Sequence, residues 1–482
     1  MTEGLSVHAS FFSPHSKATY KYLIRQQMLF KKCLSRRFLI QAVVMTFLCG
    51  SMVMYFYPSV LQQFSFYNSA QKTDIINLNI LMEKEFYQEN CFDGKFANTL
   101  AKLPDNLLKW SKAYHRKCQI LWRKFHTIYK VNVREGKQTF PPLFVEKVRR
   151  WMGNDDELLK QVYKQDVLHV NNRYNHEQTI FNLLRSKRPT SNSKEDPREY
   201  VYKLAAETKK SCDFCQYKTN TAEDVFGRIE GLHSVSASNT FKLEKWHSLF
   251  LSKKHNPLDL SEEEFVDIFN TSLKWFNKAN SINEDSRFPM MIYDSLPKGG
   301  ASQFHPHAHG FLSTQYLSHM AVQHNAARIY KDENDSEYWN DMIEIHHALG
   351  LSVTMGNAIA ISPLTPVREH EIIILSNHPE ADFFRLFYYV IQTYYNKIQR
   401  MCFSSGLAFP AMHITDSSAS LPAIARIGTR GQCNAYTNDV SSLELYVMQN
   451  VHVDPYIIIR ELQEVVGTVS TGTEKMVKLS DN

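Results

Sequence analysis

His305, His307 and His309 stand at alternate positions in the run His305-Pro306-His307-Ala308-His309, directly after Gly299-Gly300-Ala301-Ser302-Gln303-Phe304. In an extended segment, residues two apart point to one face, so the three imidazoles share a side. A core gains little from clustered imidazoles. The pattern is therefore a chance cluster, a surface metal trap or a reactive centre. The small residues ahead of it favour the third, because they let backbone N–H groups and the Ser302 hydroxyl come close to a phosphate. Neutral imidazole is a competent nucleophile near neutral pH, and backbone donors can stabilise charge on phosphate oxygens without a metal. Upstream, Cys212-Asp213-Phe214-Cys215 is a CxxC, which suits a redox pair, a disulfide or a metal site.

The elements that carry these residues occur twice. The run Trp246 to His255 resembles Glu369 to His378, each an apolar strand with histidines eight apart, and FPMMIYDS (Phe288 to Ser295) resembles FPAMHITDS (Phe409 to Ser417) with one insertion. Between them lie helical patterns, Ser261 to Asn280 and Pro379 to Arg400. Strand, helix, strand repeated at this distance predicts a duplicated α+β unit over about residues 205–470. Two such units share one sheet or pack as a pair within the chain. After the second FPAMHITD no triad follows: Arg426 and Arg430 stand where histidines would. They are phosphate ligands or members of a surface loop. His247, His370 and His378 read as packing or strand-end residues, and His346 and His347 as exposed on a helix.

The sequence GxSxxHPHxH formed by Gly300, Ser302, His305, His307 and His309 resembles the histidine-triad superfamily, and within it the galactose-1-phosphate uridylyltransferase-like branch of two tandem units. The resemblance covers about residues 205–465. It implies a fold of antiparallel sheet with helices, and a nucleotidyltransferase acting on a nucleotide sugar through a covalent nucleotidyl-histidine. By this resemblance His307 is the nucleophile, and Ser302 with Gly300, Ala301 and Gln303 forms the phosphate loop. Asp294, just before that loop, is a candidate ribose or base contact, with a turn residue as the alternative. The same resemblance implies a structural zinc on Cys212, Cys215, His255 and His305. The transferases carry Gln at the third motif position, whereas this chain has His309, as the hydrolytic members do. Hydrolysis or phosphorolysis is thus the second expectation, and a lumenal binding protein without turnover the third.

Of the 482 residues, 43% are hydrophobic and 22% charged, which excludes a disordered or collagen-like chain. The formal charge of +6 is concentrated in residues 1–37, where seven Lys and Arg face Glu3 alone, so the remainder gives no support to nucleic-acid binding. Phe38 to Tyr57 is an uncharged run long enough to cross a bilayer, and its basic N-terminal flank predicts a type II orientation. The expected layout is a cytosolic tail (1–37), an anchor (38–58), a mainly helical stem or accessory region (59–200), a first unit (201–330), a second unit (331–470) and a tail (471–482). A Golgi or ER membrane protein with its catalytic region in the lumen follows, and a homodimer is compatible with the pattern. Cys91, Cys118, Cys402 and Cys433 form an even set whose pairing cannot be read from spacing.

Overall fold

In a computed structural model, which describes residues 74–187, 195–413, 421–435, 439 and 442–470, the two repeats lie side by side in one nine-stranded antiparallel sheet. The first repeat supplies β4 (Ser234–Ser238), β5 (Trp246–Ser252), β6 (Phe288–Ile292) and β7 (His307–Ser313). The second supplies β8 (Ser352–Met355), β9 (Ala358–Ile361), β10 (Ile372–Ser376), β11 (Phe403–Ala408) and β12 (Ala423–Thr429). The order is β4-β5-β7-β6-β11-β12-β10-β9-β8, so β4, β5, β7 and β6 are mirrored by β9, β10, β12 and β11 about the β6–β11 seam. The expectation of mixed α+β structure with antiparallel sheets holds.

Helices cover one face of the sheet, two of them matching between the repeats. Ser261 and Glu264 close a capping box at the start of Glu262–Ile282, and three Glu in its first turn favour that end of the helix dipole. Its buried face includes Phe265, Ile268, Phe269, Leu273, Trp275 and Phe276, each large side chain contributing roughly 1.5–3 kcal/mol by burial. The matching helix Ala381–Thr393 buries Phe383, Phe384, Leu386, Phe387 and Val390. The two helices meet where Phe269 stacks on Phe384, ring centroids 4.9 Å apart.

The opposite face carries the chemistry. Cross-strand register runs Leu249, His309, Ile292, Gly406, Arg426, Ile373 in one row across β5, β7, β6, β11, β12 and β10. Partners in a row share a face. Arg426 therefore lies on the same side as His309, three strands away, or about 14 Å at the usual strand spacing.

Several expectations are corrected here. The match between FPMMIYDS and FPAMHITDS does not follow the repeat: the partner of β6 at the seam is Phe403–Ala408, and Phe409 to His413 follow that strand. The accessory region holds helices, among them Lys84–Phe92, Leu103–Trp110 and Arg116–Ile128, but it also holds β1 (Tyr129–Lys137), β2 (Lys164–Asn172) and β3 (Gln178–Phe181). These pair antiparallel in sequence, and β3 accepts β13 (Met448–Val451) in parallel. The helices expected in this region are thus joined by a small sheet. Cys91 pairs with Cys118 and Cys402 with Cys433.

The single-pass type II expectation, with its Golgi or ER placement, is also corrected: among the described residues no helix is long and apolar enough to cross a membrane. The proposed anchor at 38–58 lies outside the described residues.

On the second repeat, β12 delivers Arg426 between Glu177, just before β3, and Glu371, just before β10. Arg426 lies in a strand, its side chain 12% exposed, rather than in a surface loop. Burial alone would raise both carboxyls. At Glu177 the Arg426 guanidinium and His319 win and hold the group down to about 2, whereas at Glu371 burial prevails and the carboxyl stays raised. Removing one member of a buried ion group leaves the others unpaired, so Arg426→Met is expected to lower the unfolding free energy by about 3–5 kcal/mol. Chemical denaturation checks this, and the triple replacement with Glu177→Gln and Glu371→Gln is expected to recover much of the loss.

Candidate active site and metal centre

The chain leaves β6 beside the start of β11, with Tyr293 N–H donating to Ser405 O and Ser295 N–H to Phe403 O. A short turn, Leu296–Gly299, then leads into the small-residue loop. A Cβ on Gly299 would sit 2.5 Å from Phe403 O, so only glycine fits that approach. Gly300 adopts φ +115, a region L residues rarely enter. Leu296 holds φ +64, at a cost of roughly 1–2 kcal/mol for a residue with a Cβ. Strain held in a loop of this kind is consistent with a site that needs a fixed backbone. Ala301 is buried and Ser302 is exposed, its hydroxyl open to a ligand.

Asp294 lies against this loop, its Oδ2 3.0 Å from where a Gly300 Cβ would be. Burial pushes its carboxyl up to about 6, against the opposing pull of Ser404, the Ser405 backbone and Arg430. The folded-state pKa is raised, so the stability cost of Asp294 is absent below the unfolded value, builds as pH rises from there and is complete above about 6. Asp294→Asn is therefore expected to stabilise the chain by about 1–2 kcal/mol at pH 8 and to make little difference at pH 4. Thermal melts at the two pH values check the sign.

His307 opens β7 and is 3% exposed. Its Nδ1 lies 2.7 Å from His305 O. A carbonyl only accepts, so Nδ1 carries the proton and Nε2 keeps its lone pair. Burial lowers the pKa of His307, with the His305 carbonyl opposing it, and the ring is neutral at pH 7. The Phe214 ring stands 5.0 Å from it and helps exclude water. His309, on the same face, has its ring 5.2 Å from that of His307. Sequence reading missed one neighbour: His247 Nε2 is 3.0 Å from His309 Nδ1. Only the register of β5 against β7 brings His247 there, which spacing along the chain does not reveal.

Cys212, Cys215, His255 and His305 converge, their ligand atoms all within 4.8 Å of one another. His305 Nδ1 is 3.5 Å from each sulfur and 3.3 Å from His255 Nδ1, and Cys215 Sγ is 3.3 Å from His255 Nδ1. Tetrahedral S₂N₂ coordination of zinc places donor atoms about 3.3–3.8 Å apart, so the cluster is sized for such an ion. Both far nitrogens are engaged: His305 Nε2 lies 2.7 Å from Ser252 O and His255 Nε2 3.1 Å from Thr208 Oγ1. That leaves both Nδ1 lone pairs turned to the centre, the arrangement metal-ligating histidines require. Both cysteines are free.

The remaining candidates fall elsewhere. Arg426 is consumed by its two glutamates. Arg430, just beyond β12, pairs with Asp439 and reaches Ser404 Oγ, which itself donates to Gly299 O. The second repeat thus buttresses the loop of the first. His346, expected on the surface, is fully buried, with Nδ1 2.7 Å from Met342 O and Nε2 accepting from Leu364 N–H. His370 is buried against Thr429.

The sequence matches no protein-family model and no curated protein. Among solved structures the chain is similar to an ADP-glucose phosphorylase from Arabidopsis thaliana, with 14% identity, 60% of this chain and 96% of that one covered, and a TM-score of 0.48. It is also similar to a uridylyltransferase, with 11% identity, 50% and 86% covered and a TM-score of 0.42. A yeast Ap4A phosphorylase shows 12% identity, 63% and 83% covered and a TM-score of 0.29. Likenesses this distant carry no argument about what the chain does.

Proposed function

We propose that the chain is a nucleotidyltransferase of the galactose-1-phosphate uridylyltransferase-like kind, with one reactive centre in its first unit, residues 201–330, and none in the second, residues 331–470. His307 Nε2 attacks the α-phosphorus of a nucleotide sugar. A P–N bond forms, the bond from that phosphorus to the bridging oxygen breaks, and the sugar phosphate departs with the bridging electrons. An acceptor oxygen then attacks the nucleotidyl-histidine, the P–N bond breaks, and Nε2 regains its lone pair. The observation that carries this reading is the hydrogen bond from His307 Nδ1 to His305 O: it directs the free lone pair to Nε2 in a buried, neutral ring. Ser302 and the Gly300–Gln303 backbone bind phosphate oxygens, and Asp294 contacts the ribose or base.

Cys212, Cys215, His255 and His305 hold zinc in this reading, and the ion, when bound, cross-links three parts of the chain. His305 then presents a fixed carbonyl to His307. His309 in place of Gln favours a phosphorylase or hydrolase as the second reading. The test is to incubate the chain with ADP-, GDP- and UDP-glucose, each with galactose 1-phosphate, inorganic phosphate or water alone, and to separate the products. At least one donor is expected to yield glucose 1-phosphate. The partner product names the acceptor: a new nucleotide sugar, a nucleoside diphosphate or a monophosphate. No consumption of any donor contradicts the proposal.

A further inference from the structure

Outside the candidate active site, an open cleft of about 740 Å³ lies where the last turns of the helix Arg116–Ile128, the turn that follows β2 and the helix Ser318–Asn334 meet. Two arginines and two histidines line it, Arg123, Arg173, His126 and His176, against a single carboxylate, Glu333. Glu333 already accepts a hydrogen bond from the Tyr174 hydroxyl at 3.0 Å. Arg123 and Arg173 are exposed, and among the described residues neither has an ion-pair partner. Burial first, then the Arg173 charge, lowers the pKa of His126 below its usual range. Unpaired cations on a concave wall concentrate positive potential there.

The turn that presents Arg173 and His176 is fixed from beneath. Asn172, 2% exposed, accepts through Oδ1 from the N–H of Tyr174 at 3.0 Å and of Asn175 at 3.3 Å. Arg173 N–H donates to Ile128 O at 2.8 Å, which ties the turn to the end of the helix. Asn175 Oδ1 accepts the Glu177 N–H. A side chain held on so fixed a turn has less freedom to lose on binding than one on a loose loop. Guanidinium forks match phosphate oxygens two at a time. The rest of the wall suits an organic body. Trp122 and Ile329 offer apolar surface, and Trp122 keeps a buried indole N–H with no acceptor, a costly state that an acceptor oxygen relieves. The volume falls in the range of about 300–1,000 Å³ usual for small-molecule sites, well beyond what one phosphate fills.

We propose that this cleft is a second binding site, for a phosphorylated small molecule whose phosphate is held by Arg123 and Arg173 and whose planar body lies against Trp122. Lys130 and Arg134 are exposed on the ribbon face that also carries Asn171, two residues before Arg173, and they extend the positive potential that draws an anion in. The site stands apart from the transfer reading, since no residue of the cleft belongs to the phosphate loop, the histidine motif or the metal cluster.

The test uses the full chain labelled with 5-fluorotryptophan, in which the Trp122 ¹⁹F signal is assigned by its loss in Trp122→Phe. ADP and inorganic pyrophosphate are titrated separately, with sodium sulfate at matched ionic strength as the control. A saturable shift of the Trp122 signal is expected with both probes, at lower concentration with ADP. In Arg123→Gln/Arg173→Gln the midpoint is expected to rise at least about tenfold, with the melting temperature unchanged because both side chains are exposed and unpaired. Each single variant is expected to fall between. The reporter sits in the cleft, so ADP bound beside His307 does not mimic the result. No saturable shift with ADP, an equal response to sulfate, or an unchanged midpoint in the double variant overturns the proposal.

Discussion

His307→Gly is expected to reduce turnover of a nucleotide sugar by at least about 10⁴-fold. Neither neighbouring imidazole is placed to take over, because His309 Nδ1 is claimed by His247 and His305 Nδ1 faces the cysteines. The loss belongs in kcat, since the loop and Asp294 proposed to bind the donor remain in place. His307 is buried, so glycine leaves a cavity and some stability is lost with it. His307→Asn, which retains most of the volume, is the companion variant and is expected to be as inactive with a smaller change in melting temperature. Turnover within tenfold of wild type in either variant contradicts the nucleophile assignment.

The second large effect concerns the metal. The purified chain is expected to hold about one zinc per molecule, and Cys215→Ala to hold none. Structural zinc contributes about 10–16 kcal/mol in small zinc-folded peptides. Here the sheet supports the site, so a loss of several kcal/mol and a melting temperature lower by roughly 10 °C are expected. Activity is expected to fall with it, because His305 is both a proposed ligand and the owner of the carbonyl that orients His307. The measurement is metal content together with thermal melts of the wild-type and variant chains. Full zinc content in Cys215→Ala, or an unchanged melting temperature after zinc is lost, contradicts a structural metal at this centre.

What the sequence made legible was local. Alternation puts His307 and His309 on one face of β7 without any knowledge of neighbours, whereas His305, just before the strand, turns to the cysteines, and Cys212 and Cys215 at CxxC spacing are close on any backbone. His255 joined them only through the resemblance to the histidine-triad family, which implies a zinc ligand just after the first strand. Pairing across the sheet was harder to read. FPAMHITDS looks like FPMMIYDS because short apolar runs are alike, but the strand that meets β6 is Phe403–Ala408, whose Ser, Gly and Ala hide its strand character. The four-stranded second sheet takes β13 from far along the chain, and no pattern within the accessory region announces that partner. Arg426 read as a loop residue because a charge inside a strand is unusual, and its two glutamates lie in separate segments. His346 read as exposed because a polar residue in a helical pattern is assigned to the surface by default, yet Asp341 and Glu344 on the same helix are buried against Lys124 and Lys117.

The most direct test of the central claim is the mass of the chain itself. Full-length protein mixed rapidly with a consumed nucleotide sugar, in the absence of acceptor, is quenched and weighed intact, then digested. The account predicts a gain of one nucleoside monophosphate group, acid-labile as a phosphoramidate, on the peptide that contains His307, and no such gain in His307→Asn. A nucleotide on another residue, or turnover with no adduct at any quench time, would contradict it.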